Sequence, residues 1–159
     1  MKKNVFVLLL VSVLMFSCGM IQVVDSEDRC YNSSFTVSHL DQDEIFQKTL
    51  EWASDNLVNS YGTEIAYTDK ENGKISVHGK VSCYPLVNLG AEAPTRFNLR
   101  VTVKNHDVDL RFDNYVMFLD GYNKHVPKQK VYIDEINEHM MNFSYQLSSH
   151  LNRNNPDNY

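Results

Sequence analysis

Two stretches of the chain alternate apolar and polar residues with a period of two, and each folds back on itself. The first, residues 63–84 (TEIAYTDKENGKISVHGKVSCY), has Ile65 and Tyr67 before Asn72-Gly73, and Ile75, Val77 and Val81 after it. Such alternation marks strands with one buried face, and Asn-Gly between two of them is a hairpin signal. A two-residue loop would turn Ile65 and Tyr67 away from Ile75 and Val77. A three-residue loop, Glu71-Asn72-Gly73, with Gly73 left-handed, pairs Tyr67 with Val77 and Asp69 with Ile75. That register gathers Ile65, Tyr67, Ile75, Val77 and Val81 on one face, so it is the one expected. Thr68, Ser76, His78 and Lys80 are left outside.

The second stretch, residues 96–118, is cleaner. Phe97, Leu99, Val101 and Val103 point one way, and Asn98, Arg100, Thr102 and Lys104 the other. A turn at Asn105-His106 pairs Val101 with Leu110 and Leu99 with Phe112, which keeps both apolar sets together. It also sets Arg100 opposite Arg111 on the outer face, a like-charge cost that Asp109 and Asp113 can offset as diagonal neighbours. Alternation fails over 113–118, where a bulge or strand end is expected.

Helical spacing takes over on either side of these hairpins. Asp41 with Glu44 reads as a capping box, with Leu40 and Ile45 as the hydrophobic staple. Phe46, Leu50, Ala53 and Leu57 then repeat at helical intervals, with Ile45 and Trp52 beside them, to a stop near Asn59. Trp52 reads as core rather than as a ligand platform. A second helix is expected over 132–151, burying Ile133, Ile136, Met140, Phe143, Leu147 and Leu151, with Asp134 and Glu135 in its first turn. A short strand fills 31–37, residues 85–95 and 119–130 are loops, and 152–159 is a frayed tail. The order is strand, helix, hairpin, hairpin, helix: an α+β domain over 31–151, with an antiparallel sheet of about five strands.

The N-terminus belongs to a different class of segment. Lys2 and Lys3 precede an apolar run over 5–16 and then Ser17-Cys18-Gly19, the plan of a secretory signal peptide over residues 1–17. The segment around Cys18 resembles a bacterial lipobox, which would lipidate Cys18 and anchor the protein in the cell envelope, on a membrane and side left open. Cleavage by ordinary signal peptidase and retention as an uncleaved anchor are the competing readings. Residues 18–30 then form a charged tether. Cys30 and Cys83 remain; in an oxidising compartment a disulfide between them is one reading, which needs their ends to be neighbours, and two separate thiols are the other.

Composition narrows the partners. The 159 residues give a formal net charge of −5. Removal of residues 1–17 takes Lys2 and Lys3 and leaves 13 basic against 20 acidic residues. An acidic surface without a Lys/Arg run excludes general nucleic-acid binding.

No catalytic or metal motif emerges. His39, His78, His106, His125, His139 and His150 are scattered, and there is no Cys-x-x-Cys or His-Glu-x-x-His. Glu135-Ile136-Asn137-Glu138-His139 misses the inverted zinc motif at its first position. No metal, no cofactor and no catalytic residue is therefore expected.

The Phe46…Leu50-Glu51-Trp52 helix, the Tyr67–Ile75 hairpin and the Arg96–Arg111 stretch resemble a family of exported bacterial domains of unknown function. The resemblance implies a TATA-binding-protein-like fold, a curved antiparallel sheet with both helices on one face and the other open. It implies no activity and no site residues. Fold alone would not confer DNA binding here, because the outward residues mix both signs and lack the apolar wedges of minor-groove benders.

Two functions fit these observations. One is a non-enzymatic envelope module that binds a protein or a glycan through the outer sheet face, including His78, Lys80, Arg100 and Arg111, or through the 85–95 loop. The other is a small periplasmic hydrolase or ligand-processing enzyme acting through His78, Arg100, Asp109 and Arg111. The first is preferred, because no catalytic constellation is present.

Overall fold

A computed structural model describes residues 22–58, 63–84, 92–119 and 123–153. Cys18 and the export segment, most of the 85–95 loop and the end of the tail lie outside them. The elements are β1 (Tyr31–Thr36), α1 (Gln42–Ala53), β2 (Glu64–Asp69), β3 (Lys74–Cys83), β4 (Ala93–Lys104), β5 (Asp107–Leu119), β6 (Asn123–His125) and α2 (Lys130–Leu151). All strand pairs are antiparallel, in the order β1-β5-β4-β3-β2, with β6 paired to β5 beyond the end of β1.

The strongest pattern gave the most regular part of the sheet. Leu99 lies opposite Phe112, Val101 opposite Leu110 and Arg100 opposite Arg111, as expected. Asn105 takes φ 56° to close the turn. Connections from the other elements clasp that turn: the His106 carbonyl accepts from the Val37 amide at 2.8 Å, and the Gln42 side chain accepts from the Asn105 amide at 3.0 Å. The expected bulge is present on β5, where Asn114 adopts φ 56° and the register slips opposite Arg96 and Asn98. It re-aims Tyr115 into the core, where its hydroxyl donates to Asn137 on α2 at 3.0 Å.

The first hairpin departs from expectation. Asp69 lies opposite Lys74, so four residues form the loop, and Tyr67 faces Ser76 rather than Val77. The Asp69 carboxylate selects the longer loop by accepting from the Asn72 amide at 3.1 Å and its side-chain amide at 2.8 Å. Those bonds, the Asn72 side chain first, hold Asp69 below its ordinary pKa. A bulge between Ile65 and Tyr67 then absorbs the extra residue and keeps Ile65 opposite Val77. Tyr67 is consequently exposed on the outer side, and Thr68 takes the Ile75 side of the ladder. Gly73 is left-handed as expected, at φ 62°, and its carbonyl accepts from Val103 at 2.8 Å.

Both helices pack on the inward face. The capping box on α1 is formed, with the Glu44 amide 2.8 Å from Asp41 Oδ1 and the Asp41 amide 3.0 Å from Glu44 Oε2. A π-helical turn, Ser54–Val58, extends α1 and buries Leu57, while the expected stop near Asn59 lies outside the described residues. Trp52 is buried, as expected. Helix α2 starts two residues before its expected position, which moves Asp134 and Glu135 out of the first turn. Gln129 makes no side-chain cap there; instead the Gln22 carbonyl accepts from the Lys130 amide at 2.8 Å.

Three other expectations need correction, and the open question of the two cysteines is answered. The crossing loop at 119–130 contains the sixth strand, β6, whose three residues carry too little pattern to be read. Strand β4 starts at Ala93, so Pro94 and Thr95 belong to the sheet rather than to the preceding loop. The tether is partly docked, because Val23 bridges Gln129 and the Val24 amide donates to Lys128 at 2.7 Å. Cys30 and Cys83 are both free. Cys30 adjoins β1, and β5 and β4 stand between β1 and β3, so about 14 Å of sheet separates the two ends. A disulfide needs Cα atoms within about 7 Å.

Gly79 sits on the inward face of β3 opposite Phe97, and a Cβ there would fall 2.2 Å from the Phe97 ring. The ring cannot yield, because it packs between Phe112 and Phe143, each 5.9 Å away between centroids. Gly79→Ala should therefore lower stability by about 1–3 kcal/mol, the usual cost of overpacking. Urea unfolding measures it, and Phe97→Leu in the same chain should recover part of the loss.

Candidate functional site

The face opposite the helices is built from the outward half of each alternation, so its layout follows from the register. One row across the sheet runs Asn32, Arg111, Arg100, Ser76, Tyr67. On one side of it lies Ser34, Asp109, Thr102, Lys74, Asp69, and on the other Asp113, Asn98, His78, Glu64. The central row is thus cationic, and each flanking row carries carboxylates.

Asp113 holds the centre together. Its Oδ2 accepts from Arg100 Nη1 and from Arg111 Nε, both at 3.0 Å. Its side chain is only 14% exposed, whereas the two guanidinium groups are about half exposed, at 56% and 48%. The Asp113 hydrogen bond raises the Arg111 pKa above its ordinary value. One carboxylate therefore serves two arginines, and each half-exposed guanidinium has N–H groups beyond the one that Asp113 takes. Asp113 makes the offset expected from either diagonal acid, and Asp109 instead forms the wall of a concavity of about 510 Å³ with Asn32, Ser34, Arg100, Thr102 and Arg111.

The other outer-face residues do not join this centre. His78 Nδ1 lies 3.1 Å from Glu64 Oε1, in a second concavity of about 460 Å³ with Arg96, Asn98, Phe118 and Lys124. The Arg96 guanidinium stacks 5.1 Å above the Phe118 ring there. Lys80 lies opposite Arg96, half-buried. The four residues named for an enzyme are therefore split, with His78 apart from Arg100, Asp109 and Arg111.

The two cysteines stand apart from the arginine centre and from each other. Cys30 Sγ is 3.4 Å from the Glu27 carbonyl and 3.6 Å from Asn32 Nδ2. Burial pushes the Cys83 thiol up to about 11, a hydrogen bond with Thr95 opposes that, and the charge of Glu135 adds to it. Sequence reasoning missed the neighbourhood of Cys83, because Glu135 reaches it only through packing of α2 on the end of β3. Cys18 lies outside the described residues.

The sheet-and-two-helix architecture agrees with the comparisons. A family model described as a domain of unknown function, DUF4468, with TBP-like fold, matches residues 31–117. The chain belongs to that family. A DUF4468 family protein from Bacteroides ovatus superposes with a TM-score of 0.67 at 10% identity, covering 84% of this chain and 91% of the other. A TBP-like protein from Parabacteroides distasonis gives 0.63 at 14% identity, covering 77% and 91%. No curated protein matches the sequence. The expected TBP-like fold is thereby borne out, and at these identities the two structures speak for the fold alone.

Removing the shared carboxylate leaves two arginines facing each other. Asp113→Ala should lower stability by about 1 kcal/mol, the upper end for exposed pairs and the lower end for bonds to charged groups. High salt should shrink the loss by screening the arginines. Arg100→Ser in that background should return part of it in the same urea titration.

Proposed function

We propose that the protein is an exported, lipid-anchored binding module without catalytic activity, using the Arg100–Arg111 centre to dock an envelope protein. The observation that carries this reading is the shared carboxylate. Two arginines share one Asp, so their half-exposed guanidinium groups retain N–H donors beyond those that Asp113 takes, on the open face of an otherwise acidic chain. A partner's carboxylate can take up those donors in a bidentate fashion. The concavity the two arginines line, with Asn32, Ser34, Thr102 and Asp109, has no aromatic ring for stacking a sugar, which favours a protein over a glycan. The separation of His78 from the arginines favours binding over hydrolysis. Anchoring rests on the Ser17-Cys18-Gly19 segment.

A photo-crosslinking residue at Thr102 should give a defined adduct in intact cells. Arg100→Glu should reduce its yield at least about tenfold, the factor set by ~1.4 kcal/mol of lost binding. Absence of an adduct, or an equal yield from the probe at Gln146 on α2, would reject the site. Palmitate should label the wild-type protein and not Cys18→Ala. Label retained in that variant would reject the anchor.

A further inference from the structure

On the helix side, away from the arginine centre, three metal-ligating side chains converge. Cys83 ends β3, while Glu135 and His139 stand four residues apart on α2 and so share one helical face. One ligand atom from each, the Cys83 sulfur, a Glu135 carboxylate oxygen and a His139 ring nitrogen, lies within 4.8 Å of the other two. Donors around a tetrahedral zinc stand about 3–4 Å apart, given bonds of about 2.0–2.3 Å. Small rotamer adjustments therefore bring these three onto one ion.

We propose that Cys83, Glu135 and His139 form a zinc site with three protein ligands and one open position. The donor set is of mixed thiolate, imidazole and carboxylate type, which suits zinc better than the all-oxygen preference of magnesium or calcium. The surroundings are arranged for it. The Tyr84 amide donates to Glu135 Oε1, fixing the carboxylate and leaving Oε2 for the metal, as outer-shell partners do at zinc centres. Cys83 is fully buried and closes the site from within. Glu135 and His139 are half-buried and line a concavity of about 670 Å³ with Glu138, Met141, Asn142 and Tyr145. That concavity provides the entry path and room for a water or an exchangeable fourth ligand. The carboxylate that kept Glu135–His139 from matching the inverted zinc motif becomes a ligand here, and the thiol comes from the sheet rather than from the helix.

The test uses the full chain with Cys18→Ser and Cys30→Ser, so that Cys83 is the remaining thiol. Cobalt should bind at one ion per chain, with the visible bands of tetrahedral geometry and a thiolate charge-transfer band in the near ultraviolet. Zinc should displace it. His139→Ala should weaken zinc binding at least about tenfold, the smallest loss seen when even an outer partner is removed. Cys83→Ser should abolish the charge-transfer band, and His150→Ala should change neither. Circular dichroism checks the fold, and His139→Ala, at a half-buried position, stands in if Cys83→Ser does not fold. Absence of stoichiometric zinc after dialysis, or unchanged affinity in His139→Ala, would overturn the site.

Discussion

Phe97 occupies the centre of the inward face because Gly79, on the neighbouring strand, has no side chain. With that space available, its ring reaches Phe112 on β5 and Phe143 on α2, and Phe112 in turn meets Tyr31 on β1 at 6.1 Å. The central hairpin is thus joined to β1 and α2, from the two ends of the domain, through one line of rings. Each such contact contributes about 0.5–1.5 kcal/mol beyond simple burial. A side chain at residue 79 would displace the ring at the middle of this line and disturb β1, β5 and α2 together. The glycine is therefore a packing requirement rather than a flexibility device.

The parts legible from sequence are those where pattern and local chemistry agree. In β4 and β5 every inward residue from Phe97 to Phe112 is apolar, so a one-residue slip would bury Arg100 or Asp109, and a single register survives. Strand β2 lies at the edge and offers only the half-buried Ile65 as an apolar anchor, so its pattern is weak. There the Asp69 hydrogen bonds set the loop, and a bulge restores the pairing. The expected three-residue loop rested on counting Tyr67 as a core residue, and Tyr67 is 54% exposed. Strand β6 is Asn123-Lys124-His125, which has no apolar alternation at all; it forms because β5 runs past β1 and leaves an edge to be paired. The docking of Gln22–Val24 is similarly invisible, since backbone groups alone make its bonds to Lys128 and Lys130.

The candidate sites divide in the same way. The Arg100–Arg111 pairing followed from the turn at Asn105-His106, so its position was legible in the alternation alone. That both would converge on Asp113, rather than one on each of two acids, depended on the bulge at Asn114, where a left-handed residue alters the path of the strand. The Cys83 cluster had no local signal, because strand and helix meet there only through the packing of α2. An antiparallel sheet covered on one side can present polar residues on the other without cost to its core. The outer face is thus chemically independent of the fold, whereas the Cys83 cluster is built into its helix–sheet junction.

The N-terminal bridge places a geometric limit on the anchor reading. Only four residue steps lead from Cys18 to Gln22, whose carbonyl is fixed at the start of α2. Fully extended, they span about 14 Å, at ~3.5 Å per residue. If Cys18 carries acyl chains, the corner formed by Gln22, Lys128 and Lys130 must lie within about that distance of the lipid surface, rather than at the end of a thirteen-residue leash. Exposed Val23, Val126 and Val131 belong to the same part of the chain, so the side brought nearest the bilayer carries apolar groups. The chain enters beside β6 and α2 instead of across the outer face. An anchor attached there would constrain the domain's orientation and would not need to cross the row from Asn32 to Tyr67. On the proposed reading, a tether at the corner of β6 and α2 would leave the open face of the sheet to a partner.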